Sequence, residues 1–111
     1  MCDRINVEEI NDVTVDQLVV ALCADYERRR RAINERCVSH RTEMEYRYLN
    51  FKVFSGAEEI VGASDALCMI EEIGARRGYA KSKLYYYSET SYKVKKQQIK
   101  RSIAKKLHLV D

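Results

Sequence analysis

The chain has 111 residues, 46% hydrophobic and 33% charged, with four glycines and no proline. That length suits one domain with a modest core, and the composition excludes a disordered or membrane-embedded chain. The net charge of +3 hides an asymmetry: residues 1–75 carry 9 Lys/Arg against 15 Asp/Glu, and residues 76–111 carry 11 against 2. A mildly acidic body with a strongly basic end points to a polyanionic partner for that end. Few breakers, with many Arg, Lys, Glu, Ala and Leu, predict an all-α fold, a helical bundle of about five helices.

Residues 1–13 are polar and read as an N-terminal tail or lead-in. Asp12 or Thr14 then offers an N-cap, and Gln17 stands three residues after Thr14 as in a capping box. Val15, Leu18, Val19, Leu22, Tyr26 and Ile33 recur at helical steps and predict a first helix over 15–35. Its later turns carry Arg28, Arg29, Arg30 and Arg31. Such a run is a second nucleic-acid contact or, more commonly, a solvated face balanced by Asp25, Glu27 and Glu35.

Cys37-Val38-Ser39 interrupts the pattern. Ser39 or Thr42 caps a second helix over 40–61, with Met44, Tyr48, Phe51 and Phe54 along its inner face and Ile60 and Val61 closing it. Gly56 in its middle permits close packing of a neighbour, and Gly62 is a natural C-cap. Ser64 opens a third helix over 64–77, with Leu67, Ile70 and Ile73 inward and Gly78 as its end. The short connection predicts that the first two helices pack antiparallel. Residues 14–77 thus form a helical support bundle. The helical pair also leaves a homodimer open, although a single core explains its stripes equally well.

From Tyr79 the composition changes. YAKSKLYYY suits a two-turn helix loosely. Ser88-Glu89-Thr90 makes a break and a cap, and a helix follows over 89–108. Tyr92, Ile99, Ile103, Leu107 and Val110 fall within roughly a quarter-turn of its circumference. Thr90, Lys93, Gln97, Lys100 and Arg101 project from the opposite side. One helix therefore has a buried stripe and a basic polar face.

A helix of this kind fits the major groove of double-stranded DNA, with base edges met near its N-terminus. Thr90, Ser91, Lys93, Val94 and Gln97 occupy that region. Gln pairs with adenine, Lys donates to guanine, and Thr or Val touches a thymine methyl. Ser88 orients the helix start, whose free N–H groups suit a phosphate. Lys96, Lys100 and Lys105, with Lys81 and Lys83 before the helix, are placed for phosphates, which set affinity and register rather than sequence choice. Tyr85, Tyr86 and Tyr87 either add hydroxyl contacts or pack beneath the helix. Basic amphipathic helices also bind membranes and acidic proteins, so the helix alone does not select DNA.

The segment GYAKSKLYYYSETSYKVKKQQIKRSIAKKLHLV, Gly78 to Val110, resembles the C-terminal part of phage late-gene transcriptional regulators of the ArpU and RinA kind. That group is similar to region 4 of sigma-70 factors, a helix-turn-helix. The resemblance rests on Gly78-Tyr79, Ser82-Lys83, Ser88-Glu89, Tyr92 with Lys96, and Ile103-Ala104 followed by Leu107-His108-Leu109. Where such motifs usually place an Ile-Ala pair in their first helix, this chain has Lys81-Ser82. The resemblance implies a helix-turn-helix over 78–111, DNA binding, late transcription control in a bacterial host cytoplasm, and host RNA polymerase as a candidate partner.

Chemistry of other kinds has little footing. Cys2, Cys23, Cys37 and Cys68 form no C-x-x-C pair, and with no signal-peptide pattern they suggest an intracellular thiol protein. No apolar run approaches a membrane span. Cys37-x-x-His40 has metal-like spacing, but zinc would need two more ligands. No phosphate loop, nucleophile elbow or cofactor motif is present. The pairs Glu58-Glu59 and Glu71-Glu72 read as solvated charges, so no catalytic residue is expected. The competing functions are a sequence-specific regulator, a non-enzymatic adaptor, and a packaging-associated protein that binds DNA without sequence preference.

Overall fold

A computed structural model describes the backbone of residues 7–110 and the side chains of residues 13–110. Five α-helices follow one another: α1 (Val7–Ala24), α2 (Tyr26–Asn34), α3 (His40–Val61), α4 (Ala63–Gly74) and α5 (Glu89–Lys106). A short 3₁₀ turn, Tyr79–Lys81, lies between α4 and α5. No strand occurs among the described residues. The molecule measures 46 × 42 × 20 Å, a slab about two helix diameters thick.

The expected single helix over 15–35 is two helices, broken at Asp25. Residues 7–13, read as a lead-in, belong to α1. Asp12 and Thr14 therefore lie inside a helix rather than at its cap, and residues 1–6 lie outside the described residues. The break is held by Arg29. Its Nη2 donates to the Leu22 carbonyl at 2.6 Å and its Nε donates to Asn50 Oδ1 at 2.6 Å. Asn50 Nδ2 in turn donates to the Tyr26 carbonyl at 3.2 Å. Arg29 is thus buried, whereas Arg28 and Arg30 pair with Asp25 and Glu27 at the surface.

Local chemistry sets the bounds of α3. Ser39, extended at φ −65 and ψ 162, accepts the Thr42 amide on its hydroxyl. Gly62, at φ 85, ends the helix and donates to the Glu58 carbonyl at 2.8 Å. The same residue is the N-cap of α4, which starts at Ala63, one position earlier than the Ser64 start expected. α2 runs antiparallel along α3: Tyr26 meets Asn50 while Arg28 meets Tyr46, partners that move backward along α3 as α2 advances.

The inner face of α3 is not the one its large side chains suggested. Met44, Tyr48 and Phe51 are exposed, while Asn50, Val53, Gly56 and Ala57 are buried. The reason is close approach. A Cβ added at Gly56 would stand 2.5 Å from Ile103 Cγ1 and 3.0 Å from the Ile103 amide nitrogen. Only small residues fit where α3 meets α5, so Met44, Tyr48 and Phe51 face out, while Phe54, Ile60 and Val61 pack half-buried against the core as expected. Gly74 plays the same part between α4 and α1, where an added Cβ would lie 2.6 Å from the Ala24 backbone. In α4, Ile70 and Ile73 are buried as expected, but Leu67 is exposed and Ala66 and Met69 take the inward positions. The core is shared by α1, α3, α4 and α5, with Val19, Val53, Met69, Ile99 and Ile103 at its centre. α2 packs chiefly on α3 and stands as an arm beside it.

Candidate nucleic-acid interface

α5 begins where the sequence places it. Ser88 is extended, at φ −70 and ψ 159, and its Oγ accepts the Ser91 amide at 3.1 Å. Glu89 follows in the first turn, where a negative charge suits the helix dipole. Tyr92, Ile99 and Ile103 are buried, and Leu107 and Val110 pack against the core at half burial. The helix ends at Lys106, two residues short of the expected 108, because Leu107 caps it and His108 turns left-handed at φ 59. The stripe therefore fixes which side of α5 faces water.

That open side carries Thr90, Lys93, Val94, Gln97 and Arg101, all exposed, with Ser91 half-buried at one rim. Lys93 Nζ lies 3.0 Å from Glu89 Oε2, with both side chains mostly in solvent. An exposed pair of this kind contributes little and leaves the lysine available. Two expected members of the face turn inward instead. Lys96 Nζ donates to the Arg77 carbonyl at 2.6 Å and sits 5.2 Å over the Tyr92 ring. Burial, with the Lys100 charge adding to it, draws its ammonium below the usual lysine range despite nearby Glu72. Lys100 Nζ reaches Asp16 of α1 at 3.0 Å, with its side chain only 18% exposed. α1 thus occupies the Lys100 rim, and the open arc is rotated to the other side. It takes in Gln98 and Lys105, both exposed. Gln98 was outside the expected set; it stands four residues after Val94, and an arc drawn wider in that direction would have included it.

The stretch before α5 is not the short α-helix that a helix-turn-helix would place there. Beyond the 3₁₀ turn at Tyr79–Lys81, residues 82–88 are irregular. Fourteen residues separate α4 from α5, where a helix-turn-helix joins its helices by a turn of about three or four. Side chains hold this segment. Tyr79 donates its hydroxyl to the Tyr87 carbonyl at 2.6 Å and the Tyr85 carbonyl at 3.2 Å. Leu84 is buried in the core, and Tyr86 and Tyr87 both donate to Asp65.

The centre of the arrangement is Glu72, read from sequence as a solvated charge and in fact completely buried. Its carboxylate accepts from Ser82 Oγ at 2.7 Å, the Lys83 amide at 2.8 Å, Tyr92 Oη at 2.7 Å and Cys68 Sγ at 3.5 Å. Burial alone would push its pKa up, but the four donors outweigh it and hold the carboxyl below its ordinary range. Burial, with the same contact adding to it, pushes Tyr92 up to about 12 and Cys68 up to about 11. A signal was present: Glu72 stands three residues after Met69 and next to Ile73, inside the apolar arc of α4. Glu72 joins α4, the 82–84 segment and the buried side of α5 in one knot. The side chains of Lys81 and Lys83 stay exposed beside it.

Arg31 and Arg36 on the arm are exposed and lie apart from α5 in the chain. Cys37 is exposed and donates only to the Ala32 carbonyl, at 3.7 Å. No cluster of three or more His, Cys, Asp or Glu able to hold a metal occurs among the described residues. Cys23, Cys37 and Cys68 are free thiols, and Cys2 lies outside the described residues. None of the described helices is long and apolar enough to cross a membrane. No family model matches the chain, and neither does any curated protein or solved structure.

Proposed function

We propose that the chain is a sequence-specific DNA-binding transcriptional regulator, acting on phage or prophage late genes as its resemblance to the ArpU and RinA group suggests. The observation that carries the reading is the open side of α5. It presents Thr90, Lys93, Gln97 and Arg101 from a helix whose opposite side is locked into the core. Those side chains are donors and acceptors of the types that read base edges, and they start next to an exposed helix N-terminus. Lys81 and Lys83, exposed ahead of the helix, and Lys105, exposed near its end, serve the phosphates. The Glu72 knot stands in for the first helix of a helix-turn-helix by fixing the angle at which α5 leaves the core. Host RNA polymerase remains a candidate second partner for such a regulator.

Selection from a random duplex library, followed by footprinting of the enriched sequences, tests the reading. A single enriched site is expected. Equal binding to all duplexes would replace it with the packaging-associated alternative, and no binding would favour the adaptor. Gln97→Ala should relax base choice by about 1–3 kcal/mol at one position. Lys83→Ala should weaken binding to all sequences alike and reduce the salt slope by about one. Lys100→Ala, given the Asp16 contact, should act on stability rather than on DNA.

A further inference from the structure

The outer side of α3 carries an apolar stripe that no other helix covers among the described residues. Met44, Tyr48 and Phe51 are 54%, 48% and 66% exposed. Their spacing of four and three continues to either side through Arg41, Ser55 and Glu58, a heptad core repeat along one line of the helix. Beside it, Tyr26, Ile33 and Phe54 floor a shallow groove between α2 and α3. Two antiparallel helices cannot cover each other on all sides, so the arm lacks a second layer.

The charges along the stripe say what would cover it. Arg41 and Glu58 lie on the line itself, and Glu45 and Lys52 lie one residue beyond Met44 and Phe51 on one flank. None of the four has an ion-pair partner among the described residues. Lys52 instead rests over the Tyr48 ring, 5.5 Å from its centroid. A second α3 laid antiparallel, with a two-fold axis between residues 49 and 50, matches all four. Tyr48 meets Phe51 of the second copy, Met44 meets Ser55, Arg41 meets Glu58, and on the flank Glu45 meets Lys52. A parallel alignment would set like against like. A partner of one charge sign would leave half of these groups unmatched.

We propose that α3 is a self-association surface: two copies of the chain pair antiparallel through Met44, Tyr48 and Phe51, and their two arms complete a four-helix bundle. The inference does not depend on what α5 binds.

Sedimentation velocity on the full chain across the micromolar range tests it. Wild type should move toward twice 13.0 kDa as concentration rises. Phe51→Glu, at an exposed position, should keep the helical circular dichroism and thermal midpoint and return the protein to a monomer. Glu45→Lys alone and Lys52→Glu alone should each weaken the dimer roughly tenfold. The two together should restore it. The proposal is overturned by a monomer at every concentration, by a dimer that survives Phe51→Glu, or by a double exchange no tighter than the single ones.

Discussion

Two buried charges of opposite sign organise the two ends of this molecule, and neither has an ion-pair partner among the described residues. Arg29 sits between α1, α2 and α3 and spends its donors on an amide side chain and one carbonyl. Glu72 sits between α4, the irregular 82–84 segment and α5, and it collects a backbone amide, two hydroxyls and a thiol. Arg29 stabilises a corner between elements that are already helical. Glu72 holds a segment that has almost no backbone ladder of its own. Neutral dipoles can offset a buried charge, but the structural consequence of losing it depends on what else fixes the chain there.

The largest expected effect follows from that difference. Glu72→Ala leaves the Ser82 hydroxyl, the Lys83 amide and the Tyr92 hydroxyl without their acceptor and should cost about 3–5 kcal/mol in urea unfolding. DNA binding should fall with it. If the loss is under about 1 kcal/mol, the knot is not what holds α5. Arg29→Met should cost less, about 1–3 kcal/mol, because an apolar chain of similar length can fill the site. Amide exchange should rise on α2 and the start of α3 but not in α5; a rise in both would merge the two ends into one cooperative unit.

Acid separates the two charges further, because only one of them titrates. Glu72 is held below its unfolded range, so its contribution is complete above the ordinary glutamate pKa of about 4.3 and is lost as pH falls through the lowered value. Urea midpoints followed downward from neutrality should fall on that limb, and Glu72→Gln should flatten it. A wild-type limb unchanged by Glu72→Gln would assign the acid sensitivity to other carboxylates. The smallest change expected is Ser88→Ala, about 1 kcal/mol from the lost cap, read as fraying of the first turn of α5.

What sequence could read was mostly what neighbours in sequence decide. Ser39 and Gly62 bound α3 through contacts within a few residues, and Ser88 starts α5 in the same way. The α5 stripe was legible because one helix face repeats over 18 residues. Three of the misreadings involve a partner outside the local stretch. The break at Asp25 depends on Asn50, the outward Phe51 on the meeting of Gly56 with Ile103, and the irregular 82–88 on Glu72. In the candidate interface, Thr90, Lys93, Val94, Gln97 and Arg101 lie on the open side as periodicity implies. Lys96 and Lys100 do not, since their partners, Arg77 and Asp16, stand 19 and 84 residues away. Helical phase shows which residues share a side; it does not show which side a distant segment will claim.

Gly62 closes one helix and opens the next without a residue between them. Two screws are therefore coupled end to end through a single backbone setting, φ 85 and ψ 165, that side-chain-bearing residues avoid. The phase of α4 is geared to that of α3. One inserted residue taken up there as added helix would rotate α4 by about 100°. That turn would carry Glu72 out from beneath Ser82 and Tyr92 and bring Glu71 or Ile73 toward its place. Length changes, which surface loops commonly absorb, should be among the least tolerated alterations at this joint, and every orthologous chain that keeps the knot should keep the joint at one residue.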